Sequence, residues 1–350
     1  MNDPVARISA GARQAVFDGD WKRVAAGARE LLRRDPHSPE GWFLTGLAEK
    51  AAGRTVETMR AFEQVLWLDA RRYDAAVELA WLYWNALRHR EARELLESCE
   101  PLLANSPHYL DMAATVWTRL GLHGRAWPLY RKADELQPGV DRLQANLAAC
   151  SVLVGRIDEA RNLYLGLLAR HPDHQRNHYE LARLERARGR AHVGQMLEVL
   201  ERTRLPTEKN IFLYYAIGKE LEDLGAWDES FEYYRRGGEA AAGQARAAGY
   251  DIGADIALIE RIIEVCDSRW LATAPVAEPC ARTPVFVVGL PRTGTTLTER
   301  IIASHSQAES ADETLFLQIA IKRASGLSSE DDMNPEILAA AARRPHPPLA

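Results

Sequence analysis

The chain has 350 residues, of which 47% are hydrophobic and 27% charged, and its formal net charge is −5. That length supports two folding units, and the composition excludes disorder as the default state. The slightly acidic balance argues against a dedicated nucleic-acid binder, which carries a basic footprint. No run of about 18 apolar residues is present, so no membrane span is expected. The charged N-terminal stretch lacks a secretory apolar core, and a cytoplasmic location is the simplest expectation.

From the N-terminus onward the dominant signal is periodic. Gly19, Gly53, Gly121, Gly155 and Gly189 fall on one 34-residue lattice, Leu87 occupies the missing node, and Gly225 follows after a slip of two residues. A period of this length resembles the tetratricopeptide repeat, in which each unit is a helix–turn–helix. In the unit at 141–174, Leu147 and Ala148 precede the turn glycine, and Ala160 and Tyr164 follow it at a four-residue step. Small Ala148 and Ala160 let the two helices approach, Tyr164 fills the next gap, and Pro172 stops the second helix. The unit at 107–140 repeats this with Gly121, Ala126, Tyr130, Ala133 and Pro138, and that at 39–72 supplies Trp42, Gly46, Gly53 and Phe62. Weaker copies occupy about 5–38, 73–106, 175–208 and 211–244. Residues 5–244 are therefore expected to form about seven hairpins stacked into an all-α superhelix, because a single hairpin leaves an apolar face exposed.

The first helix of each unit lines the inner face of such an array. There the chain offers Lys50, Arg119, Arg142, Arg176, Arg183 and Arg186, with Trp81, Trp84 and Tyr179. Two readings stand: a solvated charged face with packing aromatics, or a groove gripping an acidic or extended peptide partner.

Next, residues 251–271 read as one amphipathic helix, with Ile256, Ile259 and Ile263 beside Leu258 and Ile262, placed to cap the array. Residues 272–283 are proline-rich and aperiodic, a linker. The cysteines (Cys99, Cys150, Cys266 and Cys280) form no C-x-x-C pair, and His171 with His174 lacks a completing ligand, so no metal is expected.

The chain then changes character. Val285–Val288 is a β-branched and aromatic run suited to a buried parallel strand. Gly289-Leu-Pro-Arg-Thr-Gly294-Thr-Thr296 is a glycine-bounded loop, and Leu297 to Ser304 continues as a helix. Strand, loop and helix in this order aim backbone N–H groups and a helix N-terminus at one spot, a phosphate-binding arrangement. The G-x-x-x-x-G spacing is that of a nucleotide P-loop, but Thr295 stands where that motif places lysine, which speaks against an ATPase, kinase or GTPase. The basic residue is instead Arg292, within the loop.

GLPRTGTTL, a helix, SHSQ and then DET over 284–314 resemble the 5′-phosphosulfate-binding segment of sulfotransferases, most closely the protein-tyrosine sulfotransferase-like group. Bacterial members of that group often carry N-terminal tetratricopeptide repeats. The resemblance implies a P-loop-like α/β domain at 284–350 using 3′-phosphoadenosine 5′-phosphosulfate (PAPS) as donor, with no metal. It implies that Arg292 steadies the leaving-group oxygen while Thr293, Gly294, Thr295 and Thr296 cradle the 5′-phosphate. Glu313 matches the position of the family's acceptor base, and it equally suits a cap on the helix that follows. His305 also matches a family position and is read as structural. The resemblance implies a hydroxyl acceptor, with protein tyrosine among the candidates. Leu315, standing where the family has arginine after the Glu-Thr, is the departure that weakens the tyrosine-peptide reading. No second strand–helix unit with the Arg and Ser of a 3′-phosphate site follows 314, so the segment resembles a C-terminally shortened member. The alternative to a sulfotransferase is a non-catalytic repeat scaffold with an incomplete, inactive tail.

Overall fold

A computed structural model describes residues 4–103, 105–273, 283–290, 293–310, 316–325, 337 and 340. The chain forms two compact units, Met1–Ala245 and Arg246–Ala350. Among the described residues all repetitive structure is helical.

The first unit is a row of helical hairpins. They are α1 (Pro4–Phe17) with α2 (Trp21–Arg34), α3 (Pro39–Ala51) with α4 (Thr55–Leu68), and α5 (Tyr73–Asn85) with α6 (His89–Cys99). There follow α7 (Pro107–Arg119) with α8 (His123–Leu136), and α9 (Asp141–Leu153) with α10 (Ile157–Arg170). The row ends with α11 (Gln175–Leu184), α12 (Ala191–Thr203), α13 (Ile211–Asp223) and α14 (Trp227–Ala247). The turns fall on the lattice because each needs one left-handed residue: Gly19, Gly53, Gly121, Gly155 and Gly225 have φ between 71° and 77°. Leu87 adopts the same conformation, φ 61°, without the glycine.

Gly189 departs from the pattern. There α11 stops at Leu184, and residues 185–190 form an irregular connection before α12. The Ala187 amide donates to Asp223 Oδ2 at 2.8 Å and the Arg186 guanidinium to the Asp223 carbonyl at 3.2 Å. Tethering to the end of α13 thus replaces the tight turn.

Small residues set the helix spacing. Ala148, Ala160, Tyr164 and Leu167 form one buried cluster, and Ala126, Tyr130 and Ala133 join a larger one around the fully buried Trp117. Gly46 lies against the Phe62 ring so closely that a β-carbon would sit 2.5 Å from Cε1.

The first helices of successive hairpins follow one another, α5 on α7 and α11 on α13, and make one face. In the second unit, α15 (Ile252–Val265) begins at Asp251, whose carboxylate accepts the Gly253 amide at 2.9 Å. The single helix expected over 251–271 is broken, because Asp267 Oδ1 accepts the Trp270 amide at 2.6 Å and starts α16 (Ser268–Thr273). Two further helices, α17 (Thr295–Ala303) and α18 (Phe316–Ser325), complete the regular elements described here.

Candidate functional site: the loop at the start of α17

Val285, Phe286 and Val288 are exposed, and 283–289 runs without a ladder partner among the described residues. The expected strand is thus absent there as a paired element: a strand exists through its neighbours, and no neighbouring strand occurs among the described residues. The loop after it is nonetheless shaped. Thr293 turns both its amide (3.3 Å) and its hydroxyl (2.7 Å) onto the Leu290 carbonyl. A β-carbon on Gly289 would meet Thr293 Oγ1 at 2.6 Å and the Thr295 methyl at 3.1 Å, so only glycine lets the loop fold back on itself.

Gly294 is the N-cap of α17 with φ 92°, and no side-chain cap hydrogen bond is made there among the described residues. The first amides of an α-helix have no intrahelical acceptor, so an uncapped N-terminus presents free N–H donors and the positive end of the helix dipole. Thr295 and Thr296 open this helix, and Thr296 is exposed. Such a terminus receives an anion, and phosphate in particular. Of the residues picked out in the sequence, Gly294, Thr295 and Thr296 therefore stand together at the helix end. Thr293 closes the turn beneath them. Arg292 and Glu313 lie outside the described residues. His305 accepts the Gln307 amide on Nδ1 at 3.2 Å and shapes the turn after α17.

The face made by the first helices of the hairpins carries a second set of candidates, and it is internally paired. Lys50 Nζ lies 2.6 Å from Glu78, and Arg142 binds the buried Asp111, which also accepts from Asn146 at 2.8 Å. Arg176 and Arg183 both approach Glu180, at 3.7 and 3.6 Å. Arg119 stacks over Trp84 (5.4 Å), whose ring tilts against Trp81, and Arg183 lies over Tyr179 (5.1 Å). Further along, Arg13 of α1 and Arg72 hold Glu40 of α3 while both guanidiniums cover Phe43. Burial alone would raise the Glu40 carboxyl, but the Arg13 hydrogen bond and both arginine charges hold it below its ordinary value. Lys50, Arg142, Arg119 and the Arg13–Arg72 pair thus join neighbouring repeats, whereas Arg176 and Arg183 pair within α11.

One cluster gave no sequence signal. His178, His192 and Glu220 come from three helices, at spacings belonging to no short motif, and meet in the interior. Only the superposition of two repeats brings them together.

The chain thus forms a stacked hairpin array, followed in sequence by a glycine-started helix behind a tight loop. Residues 284–349 match the sulfotransferase family model. The chain is therefore a tetratricopeptide array continued by a sulfotransferase-family segment. An uncharacterized protein of Aquifex aeolicus (strain VF5) is 27% identical over 315 residues, covering 85% of this chain. This chain spans 40% of that relative's length. Among solved structures, YrrB, described as a tetratricopeptide protein with an unusual peptide-binding site, is 14% identical with TM-score 0.43, covering 60% of this chain and 99% of its own. A tetratricopeptide repeat protein from Parabacteroides merdae is 15% identical with TM-score 0.41, covering 67% and 93%. No described helix is long and apolar enough to cross a membrane.

Proposed function

We propose that the 289–296 loop binds the 5′-phosphosulfate of PAPS, and that the chain serves sulfuryl transfer to a hydroxyl of a protein or small molecule in the cytoplasm. The observation that carries this is the uncapped N-terminus of α17 behind a left-handed Gly294. The family match of the surrounding segment supports it. In this reading the amides at Gly294, Thr295 and Thr296, with the Thr295 and Thr296 hydroxyls, hold the 5′-phosphate. Arg292 neutralises charge growing on the bridging oxygen as the sulfur–oxygen bond breaks. Glu313 takes the acceptor's proton as the new oxygen–sulfur bond forms. Thr293 acts beneath the phosphate, through the turn it closes.

Calorimetric titration with adenosine 3′,5′-bisphosphate, the desulfated donor, tests the assignment. Binding by the wild-type chain that is lost in Arg292→Ala supports it, and equal binding by both removes Arg292 from the site. The 285–288 run, exposed at Val285, Phe286 and Val288 and without a ladder partner among the described residues, favours a second reading, in which this chain is a repeat scaffold whose sulfotransferase segment does not turn over. Deleting 272–350 separates the two, since a scaffold keeps its protein partner. The partner we propose is a peptide laid along the first-helix face. An acidic peptide would compete with carboxylates already paired to Lys50, Arg142 and Arg183, so the double charge reversal Arg142→Glu and Arg183→Glu must weaken its binding.

A further inference from the structure

The cluster of His178, His192 and Glu220 lies where the repeat lattice is interrupted. α11 packs on α10 and α13, and α12 packs on α13, around the irregular 185–190 connection. His178 is 2% and Glu220 5% exposed. Four groups form a chain: His178 Nε2 lies 2.7 Å from the Pro172 carbonyl oxygen, His178 Nδ1 lies 2.8 Å from His192 Nε2, and His192 Nδ1 lies 2.6 Å from Glu220 Oε1.

Counting protons along this chain gives a definite answer. The Pro172 carbonyl only accepts, so His178 Nε2 carries a hydrogen. The contact between the rings needs one hydrogen, and the contact with Glu220 needs another. Three contacts thus need three protons, whereas two neutral imidazoles bring two. With Glu220 ionised, the chain closes only when one further proton is held, on a ring or on the carboxylate. Removing it turns one contact into lone pair against lone pair, in a buried place where water does not make good the loss. The other carboxylate oxygen, Glu220 Oε2, is buried without a hydrogen-bond partner in the protein.

We propose that Pro172, His178, His192 and Glu220 form a one-proton latch, which binds α11 and α12 to α13 and opens on the alkaline side of neutrality. The charged groups that act on His178 are His192 from α12, Glu220 from α13 and Asp173 from the preceding loop. Asp173 is itself paired with Arg202 of α12, and Lys219 of α13 is occupied by Asp223 and the Glu185 carbonyl.

The closed latch holds one proton among its three titratable groups. In the opened, solvated segment two ordinary histidines, each near pKa 6.5, hold about one proton between them at about pH 6.5. Stability of the closed form therefore peaks there. Above that pH the opened form holds fewer protons, so closure weakens as pH rises, by up to about tenfold in the opening constant per pH unit. Below it the opened form holds more. Burial, the largest influence on His178, keeps that ring below its ordinary value, so closure also weakens as pH falls.

Glu220→Gln isolates the alkaline arm. The glutamine amide donates to His192 Nδ1, so the chain closes with two neutral rings and no extra proton. Hydrogen–deuterium exchange of peptides from 175–221, measured in full-length wild type and Glu220→Gln at matched pH, cancels intrinsic exchange rates. The wild-type to variant ratio of exchange should rise about tenfold per pH unit above pH 7 and level off once the latch is open. A ratio flat from pH 6 to 9 overturns the latch. Should the variant fold poorly, wild-type proton spectra decide the matter near pH 6.5. Three exchange-protected downfield hydrogens assigned to this chain support the latch, and two overturn it.

Discussion

Leu87 holds a left-handed backbone, φ 61°, at the node where the other tight turns of the lattice have glycine. An L-residue in this region costs about 1–2 kcal/mol, because its β-carbon crowds the backbone. Leu87→Gly relieves that crowding and gives back part of the gain through the freer unfolded chain. The net expectation is stabilisation by about 1 kcal/mol, read as a higher urea midpoint at unchanged slope. A lower midpoint would mean that the packing of the half-buried leucine outweighs its backbone cost. At the same scale, the proposed anion site depends on two glycines with different tasks. Gly289 leaves room for the Thr293 hydroxyl, and Gly294 starts α17 at φ 92°.

At the scale of the element, the hairpins were legible because their constraints are local and repeat. Gly46 and Phe62 stood out as pattern residues, and in the folded chain the glycine is in contact with the ring. Phe62 is fully buried and its ring would meet the new β-carbon at 2.5 Å, so Gly46→Ala should destabilise the array by about 1–3 kcal/mol through overpacking. A thermal melt followed by circular dichroism checks this, and a shift below one degree would show that α3 and α4 separate freely. What the sequence concealed were features that depend on neighbours. The break between α15 and α16 comes from one aspartate, Asp267, capping a new helix near the end of an apparently continuous amphipathic run. Val285–Val288 has strand composition, yet its pairing depends on other strands rather than on its own residues. Lys50 and Arg142 were visible as charges, while their carboxylate partners Glu78 and Asp111, some thirty residues away in a neighbouring repeat, were not. The histidine chain was hidden for the same reason, since no spacing within one repeat announces a contact between three helices.

At the scale of the molecule there are two compact units, and a substitution can address one alone. The repeat unit contains its own buried clusters, from Ala12 in α1 to Leu221 in α13. The phosphate binding we propose falls at the start of α17, where no side-chain cap is made among the described residues. Gly294→Val puts a β-branched side chain at φ 92°, where such residues are strongly disfavoured, and forces the loop to rebuild. No heavy atom lies within 4 Å of the would-be β-carbon, so the effect arises from the backbone rather than from a clash. Affinity for adenosine 3′,5′-bisphosphate should then fall at least about tenfold, since the helix-start amides no longer converge. The helical melt of the repeat unit should stay within about half a degree, because distant substitutions act independently. Unchanged affinity in Gly294→Val, with wild type binding, would show that the phosphate is held elsewhere and leave α17 a structural helix. Loss of both binding and the repeat melt would instead mean that the two units fold as one.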